Sequence, residues 1–145
     1  MNISKFTQKS VQAVQDLEKV AYEYGNQEIE EEHLLYALLT QEDSLILKLI
    51  EKMEIQKEYF IDTVKRALDA RVKVSGGELR FGQYLNKALV SAEDEAKAMG
   101  DEYVSVEHLF LSMLSNPSPS MKKIFNEFGI TRERFLQALS TVRGN

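Results

Sequence analysis

The sequence predicts an all-α fold in which two similar four-helix units form one compact domain. When the sequence is shifted by 75 positions, residues 6–68 lie over residues 81–143, and 14 of these 63 pairs are identical. Roughly four identities would occur by chance at ordinary composition. Apolar residues recur at helical spacing in both copies, and no segment shows the sustained alternation of a strand. Because a unit of about 65 residues is marginal alone, we expect the copies to pack about a pseudo-two-fold axis.

The repeat also predicts how the chain is organised. We expect residues 1–145 to form one domain, with a first repeat over about 6–70 and a second over about 81–143. The intervening residues, 71–80, contain the sequence's one Gly-Gly pair and are typical of a flexible linker.

The first two helices of each repeat have recognisable ends. Gly25 and Gly100 follow the first helix, where a left-handed residue ends helices well. The second helix begins near Glu30 or Ser105, and Ser105 is a good N-cap. Apolar residues run nearly all round the second helix, so we expect it to be buried in both repeats.

The third helix runs from about 44 to 53 in one repeat and from about 120 to 128 in the other. We predict that Asp43 caps the first of these, and that Ser118 followed by Pro119 starts the second.

The ends of the third helices differ between the repeats. Gly129 ends the second copy, whereas Glu54 holds that place in the first and is expected to alter the helix end. Thr131 is predicted to cap the last helix.

Composition excludes several classes of function. The chain of 145 residues has no cysteine, which excludes disulfides, thiolate metal sites and a cysteine nucleophile. Its formal net charge is −5, which argues against nucleic acid as the main partner. The longest apolar run, 34–39, is too short to span a membrane, and the N-terminus has no signal-peptide core. We therefore expect a cytoplasmic protein with no membrane partner.

The sequence offers little catalytic chemistry. It has no phosphate-binding glycine loop, so the chain is predicted to be no enzyme and to need no cofactor. His33 and His108 each follow a glutamate at a helix start, where we expect a local hydrogen bond that fixes the turn instead of a metal site. The acidic run over 28–32 is interpreted as a solvated helix start. Val11 and Val90 fall off the apolar stripes, and two interpretations of them stay open: isolated surface residues, or a groove between the repeats that accepts apolar peptide.

The doubled motif resembles the Clp N-terminal domain family, over about residues 3–143. The residues that carry the resemblance are Phe6-Thr7-x-x-Ser10, Gly25-Asn26, Ile29-x-x-Glu32-His33-Leu34-Leu35 and, 75 positions later, Gly100-Asp101-x-Tyr103-Val104-Ser105-x-Glu107-His108-Leu109. Within this family the linker and the ending Val142-Arg143-Gly144 look most like the ClpB disaggregase type, with the ClpC type as the close rival.

The resemblance implies a function for the chain. ClpB-like proteins carry this domain ahead of two AAA+ ATPase modules, which hold ATP and Mg²⁺ and assemble into a hexamer. We therefore expect a monomeric domain excised from such a protein, which captures unfolded or aggregated polypeptide for disaggregation. The alternative is an adaptor-docking domain of a ClpC-type protease ATPase. The sequence after Asn145 would separate the two.

The resemblance also implies site residues. The polar candidates are Thr7, Asp101 and Glu107, and the apolar candidates are Val11, Val20 and Leu89. For Val20 and Leu89 a position in the core is the open alternative. The copy-one counterparts of the two acids are Asn26 and Glu32, and the counterpart of Thr7 is Gly82, so we expect one site instead of two.

Overall fold

A computed structural model describes residues 2–143 of the chain. Within these residues there are nine α-helices, two strands of two residues each and a short 3₁₀ turn at Ile3–Lys5. The first repeat contains α1 Gln8–Gln15, α2 Leu17–Glu23, β1 Glu28–Ile29, α3 Glu31–Leu39, α4 Leu45–Lys52 and α5 Lys57–Asp69. The second contains β2 Arg80–Phe81, α6 Gln83–Ala98, α7 Val106–Ser115, α8 Pro119–Phe128 and α9 Arg132–Arg143. The predicted all-α repeat fold is confirmed.

The two repeats exchange short backbone pairings. β1 pairs in parallel with β2, so that Ile29 lies opposite Phe81. Phe6 forms an isolated parallel bridge with Val104. Because Phe6 corresponds to Phe81 and Ile29 to Val104, the two contacts are the same contact made in each direction. The repeats are therefore related by the expected pseudo-two-fold symmetry.

Buried second helices form the middle of the core. All of α3 except Tyr36 is buried, and so are the first eight residues of α7. Burial of these helices was predicted from the apolar residues that run nearly all round them, and it is confirmed.

Most helix ends follow the predicted signals. Gly25, Gly100 and Gly129 have left-handed φ values of 72°, 73° and 63°, as the C-cap pattern predicts. The hydroxyl of Ser118 accepts from the N–H of Met121 at 3.2 Å ahead of Pro119, and Thr131 accepts from Arg134 at 3.1 Å.

The third helix of the first repeat departs from the prediction at both ends. Its N-cap is Ser44, whose hydroxyl accepts from the N–H of Leu47 at 3.1 Å, so the prediction of Asp43 as the cap is wrong. Helix α4 starts one residue later than the gapless comparison implies, which leaves Asp43 outside it. Glu54 adopts φ 62°, almost the value of Gly129, so its predicted disturbance of the helix end is also wrong. The non-glycine residue accepts the left-handed conformation and its strain.

The first helix is divided in the first repeat. Asp16 separates α1 from α2, whereas α6 is continuous over 16 residues. One helix was predicted there, and aspartate is a poor helix former whose side chain here accepts from Gln12 at 3.2 Å.

The residues predicted as a linker lie against the first repeat. The N–H of Val74 donates to the Gly25 carbonyl at 2.9 Å, and the Asn26 side chain donates to the Val72 carbonyl at 3.1 Å. The division of the chain at 71–80 stays a prediction.

Candidate functional site

A small cleft lies where the two repeats meet, between the start of α1, the segment before α4 and the start of α7. Its volume is about 210 Å³ and its accessible lining is mostly apolar. The residues that line it are Thr7, Lys9, Gln41, Asp43, Leu45, Ser105, Val106 and Glu107. Three larger clefts, of 430 to 530 Å³, contain none of the site residues that the resemblance implied.

The α1 wall of the cleft is fixed at Thr7. The Thr7 hydroxyl caps α1 by accepting from the N–H of Ser10 at 3.3 Å. The N–H of Thr7 donates to the Val104 carbonyl of the other repeat at 2.9 Å. The hydroxyl and the N–H of Thr7 are therefore both hydrogen-bonded. Thr7 connects the cleft wall to the Phe6–Val104 bridge between the repeats.

The opposite wall carries Glu107, in the first turn of α7. Its side chain is 8% exposed, and Oε2 accepts from Nη2 of Arg143 at 2.7 Å. Nη1 of Arg143 reaches Asp101 Oδ2 at 2.9 Å, so one guanidinium joins the two predicted acids.

The charges of both acids are stabilised by their donors. Burial acts to raise the pKa of Glu107, but the hydrogen bonds from Arg143 and Ser105 outweigh it and hold the pKa below its ordinary value. The pKa of Asp101 is likewise lowered, because Arg143 and His108 outweigh the effect of burial. Both side chains are therefore carboxylates at neutral pH.

The two histidines have the predicted structural role. Nδ1 of His33 accepts from the N–H of Glu30, and Nδ1 of His108 accepts from the N–H of Ser105, both at 2.9 Å. Nε2 of each ring therefore carries the proton and donates to Asn26 at 2.9 Å or to Asp101 at 2.7 Å. The local hydrogen bond that was predicted at each helix start is confirmed.

The predicted site residues fall into three groups. Thr7 and Glu107 line the cleft, and half-buried Val11 lies one turn along α1, where its N–H donates to the Thr7 carbonyl. Asp101 is joined to Glu107 through Arg143, but it lines a separate pocket of about 80 Å³. Val20 and Leu89 are only 5% and 2% exposed, so these two residues belong to the core and form no wall of the cleft.

The acidic run over 28–32 was predicted to be solvated, and this prediction is wrong. Glu30, Glu31 and Glu32 are 5%, 0% and 1% exposed. Glu30 and Glu31 accept from backbone N–H groups of the second repeat, and Glu32 pairs with Arg71 at 2.8 Å. The sequence could not indicate this, because the donors come from residues that are distant along the chain.

Sequence reasoning also missed Arg143. In the first repeat Arg71 holds Glu32, the counterpart of Glu107, but Arg71 and Arg143 are 72 positions apart instead of 75. A gapless comparison therefore does not align them. In each repeat an arginine follows the last buried apolar residue of the fourth helix, and this shared position could have revealed the pair.

Two findings bear on other classes of function. Among residues 2–143, no group of three or more histidine, aspartate or glutamate side chains is placed to hold a metal ion. In the same part of the chain, no helix combines the length and the hydrophobicity that crossing a bilayer requires.

A family model described as the Clp repeat (R) N-terminal domain matches residues 5–141. The chain belongs to this family. Over its whole length, this Clp repeat domain is 40% identical to the chaperone protein ClpB of Nitratidesulfovibrio vulgaris and 40% identical to that of Clostridium tetani. It spans only 18% and 17% of the length of these two relatives.

Solved structures share the fold of this Clp repeat domain. The Hsp104 N-terminal domain of Candida albicans matches with a TM-score of 0.82 at 22% identity, over 97% of this chain and 92% of that one. The N-terminal domain of Arabidopsis thaliana ClpD matches with a TM-score of 0.70 at 17% identity, over 97% of this chain and 99% of that one. A ClpV N-domain in complex with a VipB peptide matches with a TM-score of 0.73 at 20% identity, over 95% of this chain and 86% of that one.

Proposed function

We propose that this Clp repeat domain is the non-catalytic, substrate-binding N-terminal domain of a ClpB-type AAA+ chaperone. It captures unfolded or aggregated polypeptide for ATP-driven disaggregation by modules outside this chain. The observation that carries the proposal is the mostly apolar cleft between the repeats, with Thr7 on one wall and Glu107 on the other. The identity of 40% to two ClpB chaperones supports the assignment to that type.

The cleft suits a side chain of an extended segment better than a small-molecule ligand. Its volume of about 210 Å³ is smaller than the pockets that enclose small molecules. Leu45 and Val106 supply apolar surface. The charged residues of the lining are Lys9, Asp43, whose carboxylate is exposed, and Glu107, which is paired with Arg143. On a chain with a net charge of −5, this arrangement favours a client in which apolar residues stand beside basic ones.

We expect a single domain to bind its client weakly. A shallow cleft buries little apolar area, and ordering a flexible segment costs much of the gain. Weak binding suits a capture step, since the client must leave for the hexamer's pore. Six tethered domains would restore useful avidity through their effective concentration.

Adaptor docking is the second candidate, as in a ClpC-type protease ATPase. The observation that favours it is the solved complex of a ClpV N-domain with a VipB peptide, in which a domain of this fold holds a segment of a defined partner. A client site would accept many unfolded sequences, whereas an adaptor site would accept one folded partner and discriminate against unrelated peptides.

An NMR titration tests the client site. The probe is a capped, unstructured peptide in which leucines are flanked by arginines. Amide shifts are expected around Thr7, Val11, Ser105 and Glu107. No shifts at millimolar peptide, or shifts confined to the far faces of α5 and α9, would refute the proposal.

A pair of variants in α4 sharpens the titration. Leu45 and Leu47 are both half-buried, but only Leu45 lines the cleft. Leu45→Ser should raise the dissociation constant about tenfold through the loss of apolar contact, and Leu47→Ser should leave it within about twofold. Equal effects of the two substitutions would place the client elsewhere.

A further inference from the structure

The pseudo-two-fold axis relates the cleft to a second position, at the start of α6. The 75-residue shift places Gly82 where the cleft has Thr7. It places Glu30 and Glu31 where the cleft has Ser105 and Val106. The small polar residue and the apolar residue of the open cleft are thus both replaced by glutamates.

Glu30 occupies the place of a helix-capping side chain at α6. Its carboxylate accepts from the N–H of Leu85 at 2.7 Å and from that of Tyr84 at 3.4 Å. In the first repeat the Thr7 hydroxyl has this role for α1, by accepting from Ser10. The side chain of Glu30, the residue before α3, therefore satisfies donors at the start of α6, whereas the equivalent donor of α1 is satisfied by the local Thr7.

Space, not backbone conformation, explains the glycine at 82. Gly82 has φ −74° and ψ 167°, close to the −67° and 165° of Thr7, and any residue adopts these values. However, a Cβ atom on Gly82 would clash with the Glu30 carboxylate. A side chain at position 82 would therefore displace the Glu30 side chain from its present position.

Glu31 fills the neighbouring position. Its side chain is fully buried, and Oε1 accepts from the N–H of Ser118, the N-cap of α8, at 2.7 Å. The other oxygen, Oε2, is buried without a hydrogen-bond partner. Val106, its counterpart, lines the open cleft beside Leu45.

We propose that Glu30 and Glu31 close a second, pseudo-equivalent cleft and so limit the domain to one client segment. The two glutamate side chains seal that side by accepting from N–H groups at the helix starts of the second repeat, and Ser105 and Val106 leave the other side open. The stoichiometry rests on the client binding proposed above, whereas the closure itself is tested without a client.

A stability cycle on Gly82 and Glu30 tests the closure. Gly82→Thr should lower the melting temperature because its Cβ meets Glu30, and Glu30→Ser should lower it because α6 loses its cap. We expect a loss of about 3 to 5 °C for each. The double variant should recover most of both losses, because Thr at 82 then caps α6 as Thr7 caps α1.

A matched control separates the cap from the relief of the clash. Gly82→Ala with Glu30→Ser removes the clash but supplies no cap, so it should melt below the Thr double variant. Additive losses in the Gly82→Thr and Glu30→Ser pair would overturn the closure.

The stoichiometry is measured on the triple variant with Gly82→Thr, Glu30→Ser and Glu31→Val. Titration with the same leucine–arginine peptide should show two peptides per domain instead of one, with new amide shifts over 82–85. A folded triple variant that still binds one peptide would overturn the proposal. If neither protein binds the peptide, the proposed client site fails, and the stability cycle still decides whether Glu30 closes the second position.

Discussion

Arg143 in the last turn of α9 holds Glu107 in the first turn of α7, with 2.7 Å between Nη2 and Oε2. The same guanidinium holds Asp101, which also accepts a hydrogen bond from Nε2 of His108. The acidic wall of the cleft is thus fixed by the end of its own repeat. Arg71 does the same for Glu32 in the first repeat.

The first prediction concerns this arginine. Arg143→Gln removes the donor to Glu107, which is 8% exposed, and so leaves a nearly buried carboxylate without its counter-charge. The free energy of unfolding should fall by about 1 to 3 kcal/mol in urea denaturation. As the control, Lys48→Gln breaks an exposed pair with Asp43 and should cost less than about 0.5 kcal/mol. An equal loss in both variants would contradict this account of Arg143.

The second prediction gives the pH dependence of the same contacts. The pKa values of Glu107 and Asp101 are lowered in the folded protein, so below pH 4.5 the unfolded chain binds more protons than the folded one. Stability should therefore fall as the pH drops from about 4.5. The Arg143→Gln variant should lose less stability over that range. Parallel pH profiles for the two proteins would show that Arg143 does not set these pKa values.

The third prediction has the opposite sign. Burial raises the pKa of Glu31 from 4.5 to about 8, despite the opposing hydrogen bond from Ser118. Between these pH values the folded protein keeps a proton that the unfolded chain releases, so stability should fall as the pH rises across the range. Glu31→Gln keeps an acceptor for Ser118 and removes this titration, so in urea denaturation its stability should change less than that of the original protein between pH 5 and pH 8. Glu18→Gln, at an exposed position, is the control and should keep the pH dependence of the original protein.

Helix ends were predictable where one residue carries the signal. The left-handed conformation of three glycines and the cap at Ser118 depend on local backbone geometry, and the residue type alone indicates that geometry. The three glycines are Gly25, Gly100 and Gly129. Glu54 shows the limit of that reasoning. Its neighbours Ile50 and Ile55 are buried, and the N–H of Ile55 donates to the Ile50 carbonyl at 3.3 Å, so core packing imposes the turn that glycine would prefer.

The site was predictable only in part, for a similar reason. Thr7 and Glu107 stand at motif positions of the family, and the structure brings them to one cleft. The partners of Glu30 and Glu31 come from α6 and from Ser118, and the 75-residue shift aligns Arg143 with Leu68 instead of with Arg71. Periodicity tells which residues are apolar, but it does not tell which buried acids meet donors from the other repeat.

The fourth prediction tests the strain at Glu54. A non-glycine residue at φ 62° costs about 1 kcal/mol or more, so Glu54→Gly should raise the free energy of unfolding by about 0.5 to 1 kcal/mol. Gly129→Ala makes the reverse change at the equivalent position, where φ is 63°, and should lower stability by about 1 kcal/mol. Chemical denaturation measures both. A less stable Glu54→Gly variant would mean that the Glu54 side chain makes a contact worth more than the strain.

The fifth prediction concerns the charge preference of the cleft. Two capped peptides of equal length, one with arginines and one with glutamines beside the same leucines, separate the charge from the apolar contact. The arginine peptide should bind several-fold more tightly at low salt, because the exposed carboxylate of Asp43 lies on the cleft lining. Raising the salt to about 1 M shortens the screening length to about 3 Å and should bring the two affinities together.

Asp43→Asn assigns that preference to the cleft. Asparagine tolerates the left-handed φ of 59° that Asp43 adopts, so the fold should be kept while one rim charge is lost. At low salt the variant should reduce the difference in affinity between the two peptides, and its affinity for the glutamine peptide should be unchanged. Asp62→Asn removes an equal charge from an exposed position on α5 that does not line the cleft, and it should leave the difference unchanged. If both substitutions narrow it equally, net charge and not the cleft sets the preference.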